Sequence, residues 1–98
     1  QTKCKGFGEK IAYVKKSLFP VPRLFELIAE HGKVEAKEMY QAFNMGHRLE
    51  AMVPPNIASK LIDIAHSMGI EARVVGYCES APSNQVHLET PLGTFDYP

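Results

Sequence analysis

Hydrophobic and polar positions change period several times along this chain, and each change predicts an element. Residues 1–10, QTKCKGFGEK, are polar and read as a strand end or loop. In IAYVKK, Ile11 and Tyr13 share one face and Ala12 and Val14 the other, the pattern of a short strand. In FPVPRLFELIAEHG, Leu24, Leu27 and Ile28 repeat at helical spacing with Phe25 widening the stripe. Pro22 suits the first turn, and His31 and Gly32 suit the last. In KVEAKEMYQAF, Ala36, Met39, Tyr40 and Phe43 form the apolar face of a second helix. From His47 the period becomes two: Leu49, Ala51 and Val53 alternate with Arg48, Glu50 and Met52, a predicted strand that Pro54-Pro55 ends. Asn56 is placed to cap a third helix, whose buried stripe is expected to be Ile57, Leu61, Ile64, Ala65 and Met68.

IEARVVGYCE reads as a further strand, SAPSN as a break, and QVHLET and TFDY around PLG as a terminal hairpin. The fold class expected is α+β, a layered α/β sandwich with a mixed sheet. It should contain a strand–helix–strand unit at about 47–77, its strands parallel and joined by a right-handed crossover. The C-terminal hairpin completes it.

Composition narrows the function more than the fold. The chain has 98 residues, enough for a single domain, 1–98, or part of one. Eleven basic residues balance eleven acidic ones, so net charge does not favour nucleic acid or an anionic membrane. No apolar run is long enough to span a bilayer. Cys4 and Cys78 form no disulfide framework and read as reduced thiols of a cytoplasmic protein. No secretory segment is seen, and the first residue is Gln1 rather than Met: either the initiator was removed along with more sequence, or this is a piece of a longer chain.

Most signatures of chemistry are missing. His31, His47, His66 and His87 lack zinc-site spacing, and no metal site is expected. Gly6-Phe7-Gly8 is not followed by a helix, so it is a weak phosphate loop. Lys3, Lys5, Lys10, Lys15 and Lys16 read as a solvated face. The informative stretch is Phe43-Asn44-Met45-Gly46-His47-Arg48, where a helix gives way to the predicted strand. One reading is structural: Asn44 and Gly46 make a turn and Arg48 pairs with Glu50. The other is substrate binding. Asn44 offers an amide, Gly46 lets a ligand approach the backbone, His47 donates when protonated, and Arg48 presents a fork suited to phosphate.

EMYQAFNMG, followed by a strand, VPP, an amphipathic helix and a VVG strand, resembles the C-terminal domain of aminoimidazole ribonucleotide synthetase. That enzyme is also called phosphoribosylformylglycinamidine cyclo-ligase. The likeness runs roughly from Leu18 to Glu79 and is most specific at Phe43–Gly46. The chain departs from the family at His47-Arg48-Leu49-Glu50, where many members have small and apolar residues. The resemblance implies the C-terminal part of a larger two-domain synthetase of de novo purine biosynthesis. Such an enzyme closes an imidazole ring with ATP and Mg2+, both held mainly by an N-terminal domain. It implies a small phosphorylated substrate, a homodimer, a loop bordering the cleft between domains, and an inactive piece when this part stands alone. Catalytic residues are not identified. The alternatives are another ATP-dependent synthetase of the same superfamily and a stand-alone small-molecule-binding or interaction module.

Overall fold

The computed structural model describes residues 1–98. A short 3-10 turn at Lys3–Gly6 precedes strand β1, Ile11–Lys15. Helices α1, Arg23–Gly32, α2, Ala36–Ala42, and α3, Pro55–Ser67, follow. Strands β2, Gly76–Ser80, β3, Gln85–Thr90, and β4, Gly93–Tyr97, complete the chain. The sheet order is β2-β1-β3-β4. β1 pairs antiparallel with β2 and parallel with β3, and β3 pairs antiparallel with β4. The sheet is therefore mixed and open, and the α+β class and the terminal hairpin are as expected.

The alternation in β1 decides where the core lies. Tyr13 stands opposite Val86, and Val86 opposite Tyr97, so these side chains share one face. Against that face α2 lays Met39 and Tyr40, joined by Met45, Leu18 and Cys4 in one buried cluster. The Tyr40 and Phe95 rings lie 6.1 Å apart, and the Tyr97 hydroxyl donates to the Lys37 carbonyl. α1 contributes half-buried Phe25, Ile28 and Ala29, while Leu24 and Leu27 face outward. Its C-cap is Lys33 in the left-handed conformation, one residue beyond Gly32. The other face of the sheet is largely ionic, with Lys16, His87, Glu89 and Asp96 paired across strands.

Three expectations fail. Residues 47–53 form no strand. The period of two does not appear in burial: Glu50 turns inward to the Lys15 ammonium at 3.0 Å, Leu49 is 91% exposed, and Arg48, Ala51, Met52 and Val53 are exposed as well. A segment anchored through its charged side chain gains more from that ion pair than from an unpaired sheet edge. The strand–helix–strand unit of 47–77 is consequently absent. The parallel pair is β1–β3, and the strand after α3 starts only at Gly76 and runs antiparallel to β1. Val74 and Val75 stay outside it, with the Val75 carbonyl accepting from the Lys16 and Ser17 amides at 2.8 and 3.1 Å. Gly76 is required there, since a Cβ would meet the Val14 carbonyl oxygen at 1.8 Å. Lastly, α3 buries none of its residues. Its stripe of Ile57, Leu61, Ile64 and Met68 is exposed, and only Ala58, Ile62 and Ala65 are partly covered. Its N-cap is Pro54, and Asn56 lies within the first turn without a capping bond. No helix is long and apolar enough to cross a membrane.

Candidate functional site

The C-terminus of α2 opens into a tight turn built by Asn44. Its backbone carbonyl accepts from the His47 amide at 3.1 Å, and its Oδ1 accepts from the Gly46 amide at 2.8 Å. Both central residues take positive φ, Met45 at 54° and Gly46 at 95°. A non-glycine residue in that conformation needs compensation, and Met45 finds it by burying its side chain in the core. Gly46 packs under Pro22, whose Cγ would lie 2.8 Å from an added Cβ.

The turn borders a cleft of about 390 Å³ lined by Lys3, Lys15, Asn44, His47, Arg48 and Glu50, with apolar walls from Phe7, Phe43 and Met52. Three of the expected site residues, Asn44, His47 and Arg48, thus line one cavity. Gly46 does not line it; its backbone freedom serves the turn and the contact with Pro22. The amides of Gly46 and His47 are already bonded to Asn44, so the turn offers the cleft chiefly the Asn44 side-chain N–H groups.

His47 holds a fixed tautomer. Its Nε2 accepts from the Phe19 amide at 3.2 Å, and its ring lies 5.1 Å from the Phe19 ring. Burial pushes its pKa below the ordinary histidine value, with Glu50 opposing and Lys15 reinforcing the shift. The ring is neutral at neutral pH, a hydrogen-bonding wall rather than a cation.

Arg48, like Lys3 and unlike Lys15, has no partner on the cleft wall. It is exposed and makes neither an ion pair nor a hydrogen bond. The pairing with Glu50 that the sequence allowed does not form, because Glu50 is taken by Lys15. Lys15, read from sequence as part of a solvated face, is 5% exposed. Its Nζ donates to the Gln1 carbonyl at 2.7 Å and to Gln1 Oε1 at 3.1 Å besides meeting Glu50. The signal for it was present, since Lys15 shares the face of Tyr13 in β1. Glu50 was visible only as a partner for the wrong cation.

A second cleft of about 290 Å³ lies on the opposite face of the sheet, among Lys16, Tyr77, Glu79, His87 and Asp96. Its cations are already engaged: His87 meets Asp96 at 2.6 Å and Lys16 meets Glu89 at 3.2 Å, while Glu79 is left as an unpaired carboxylate. The first cleft is the better candidate because its guanidinium is unspent. No group of three or more His, Cys, Asp or Glu side chains is placed to hold a metal ion. The Gly6-Phe7-Gly8 loop is tied down by Asn84, whose side chain donates to the carbonyls of Lys5 and Gly8 at 2.8 and 2.9 Å.

Fold and cleft together define an α+β domain with a polar cavity suited to anions, set beside a helix-terminating Asn-Met-Gly turn. Comparison with known proteins gives the particular relation. The chain is 34% identical over 85 residues to phosphoribosylformylglycinamidine cyclo-ligase of Methanopyrus kandleri, covering 87% of this chain and 24% of that enzyme. It is 34% identical over 65 residues to the Thermoanaerobacter enzyme of the same name, 66% of this chain and 19% of that one. The Staphylococcus aureus enzyme of that name is 29% identical over 77 residues, 79% of this chain and 22% of its own length. No protein-family model matches the chain. The chain is a homologue of the phosphoribosylformylglycinamidine cyclo-ligases, as the Phe43–Gly46 resemblance implied, and spans about a quarter or less of the relatives' length.

Proposed function

We propose that this chain is the C-terminal portion of an ATP-dependent cyclo-ligase that closes the imidazole ring of aminoimidazole ribonucleotide in purine biosynthesis. In it, the cleft beside Asn44 binds the phosphorylated substrate. The observation that carries this is Arg48, an exposed guanidinium without a partner in a cleft that also holds Lys3 and Lys15 against a single carboxylate, Glu50. A planar guanidinium binds phosphate through two parallel hydrogen bonds. Asn44, with its oxygen committed to the turn, donates from its amide nitrogen to an acceptor on the ligand. The neutral His47 ring, Phe43 and Met52 supply further walls of the cavity. Nucleotide and magnesium are assigned mainly to the N-terminal domain; the Gly-x-Gly loop of this chain is pinned by Asn84. In this reading the ATP- and magnesium-dependent activation takes place on the remainder of the enzyme, a homodimer, and the 98-residue chain by itself shows no turnover.

The test is steady-state kinetics of the full-length enzyme that contains this chain. Losing a hydrogen bond to a charged group costs about 1.5–3 kcal/mol. Arg48→Ala should therefore lower kcat/KM roughly ten- to a hundred-fold, with an unmoved thermal midpoint. An unchanged kcat/KM in Arg48→Ala would remove this cleft from substrate binding.

A further inference from the structure

Lys15 is a nearly buried ammonium on the floor of the cleft, and nothing in phosphate binding by Arg48 explains it. Its three contacts are Gln1 carbonyl, Gln1 Oε1 and Glu50 Oε1, at 2.7, 3.1 and 3.0 Å. These oxygens use up its donors, so it is not free for a ligand. What it does is hold Glu50. The Glu50 side chain is 25% exposed, lines the same cleft as Arg48, and keeps its second oxygen without a hydrogen bond or ion pair. A carboxylate fixed by one oxygen presents the other as a pure acceptor. It repels phosphate and attracts hydroxyl or amine hydrogens. In dinucleotide-binding folds a carboxylate in this role reads the ribose hydroxyls.

We propose that Glu50 is a specificity-determining residue of the cleft that accepts a hydrogen bond from a sugar hydroxyl of the phosphorylated ligand. Lys15 is its positioning residue. This rests on the phosphate reading of Arg48 and adds to it the chemistry of the other end of the ligand. Arg48 takes the anion, and Glu50 selects those phosphates that carry a polyol and turns away bare phosphate. Substitution of Glu50 by Gln is informative because the amide oxygen still accepts from Lys15. The group left facing the cleft becomes an NH2, which donates and cannot accept.

The experiment is a titration of the 98-residue chain with ribose 5-phosphate and, separately, with inorganic phosphate, followed by amide chemical shifts. The unsubstituted chain should bind ribose 5-phosphate at least about tenfold more tightly than phosphate, the value of one hydrogen bond to a charged acceptor. Glu50→Gln should abolish that preference, with bare phosphate, no longer repelled, bound at least as tightly as before. Lys15→Met should also abolish the preference, with Lys15→Arg restoring part of it. Arg48→Ala should weaken both ligands together. If Glu50→Gln keeps the preference, or loses both ligands in parallel, Glu50 merely tethers the 47–53 segment and the proposal fails while the Arg48 reading stands. If the unsubstituted chain binds neither ligand, both fall.

Discussion

Lys15 and Glu50 form the one ion pair that reaches the interior, and the two halves should not be equally costly to remove. The Lys15 side chain is 6% exposed and that of Glu50 25%. Removing Glu50 leaves a nearly buried ammonium without its counter-charge. Removing Lys15 leaves a carboxylate that can turn to solvent. Breaking a buried pair from the inaccessible side costs roughly 3–5 kcal/mol. For Glu50→Ala the lower end applies, about 3 kcal/mol, because the two Gln1 oxygens still solvate the ammonium. Lys15→Met replaces the stem with an apolar one of similar length and should cost about 1 kcal/mol, the upper value for a pair whose remaining partner water can solvate. For a domain near 100 residues each kcal/mol moves the midpoint by about 4–8 °C. Glu50→Ala should then fall by more than ten degrees and Lys15→Met by about half that or less. The double variant should be more stable than Glu50→Ala alone, because no unpaired charge remains inside. Thermal melts at one pH, checked by urea midpoints, decide the matter. Equal losses, or a larger loss for Lys15→Met, would refute the burial asymmetry on which the reasoning rests.

Two further outcomes follow from burial. Met39→Ala, at a side chain 1% exposed in the centre of the core, should cost about 2–5 kcal/mol. Leu61→Ala, in a helix stripe whose leucine is 39% exposed, should cost under about 1 kcal/mol beyond the surface norm. Comparable urea midpoint shifts for the two would show that α3 packs against the body. The third outcome concerns pH. The folded state lowers the His47 pKa, so the unfolded chain takes up this proton first as pH falls below about 6.5. Stability should be complete above that point and decline below it. His47→Gln should flatten the pH dependence of the urea midpoint between pH 7.5 and 5.5, and an unaltered slope would deny the ring its buried, neutral state.

The elements that were legible in the sequence are those whose partners lie nearby or whose pattern has a single solution. Met39, Tyr40 and the α2 stripe predict a buried helix face, and the sheet supplies it. QVHLET and TFDY around Pro91-Leu92-Gly93 predict a hairpin, and a two-strand antiparallel pair forms. α3 shows the opposite case. Its stripe of Ile57, Leu61, Ile64 and Met68 is amphipathic by every local measure, yet amphipathicity states only that a face can be buried, not that a neighbour in this chain buries it. The parallel pairing of β1 with β3 was also hidden, because it joins residues 12–15 to residues 85–88 with all three helices and β2 between them. No local pattern encodes which of several strands takes the central place.

The site was half legible for a related reason. Asn44, Met45 and Gly46 advertise a turn, because positive φ and an Asx bond are local properties. The charges around the turn are not local. A period of two at 47–53 specifies that Leu49 and Glu50 point to opposite sides, but it leaves open which side faces in. Hydrophobicity alone favours Leu49. What reverses the choice is one ammonium in β1, 35 residues earlier in sequence, whose burial on the Tyr13 face requires a counter-charge. Once Lys15 is inside, Glu50 must come to it, Leu49 must go out, the segment cannot pair as an outward-polar strand, and Arg48 loses the carboxylate it would have met. A single buried charge thus sets the register of the segment and leaves the Arg48 guanidinium without a carboxylate partner.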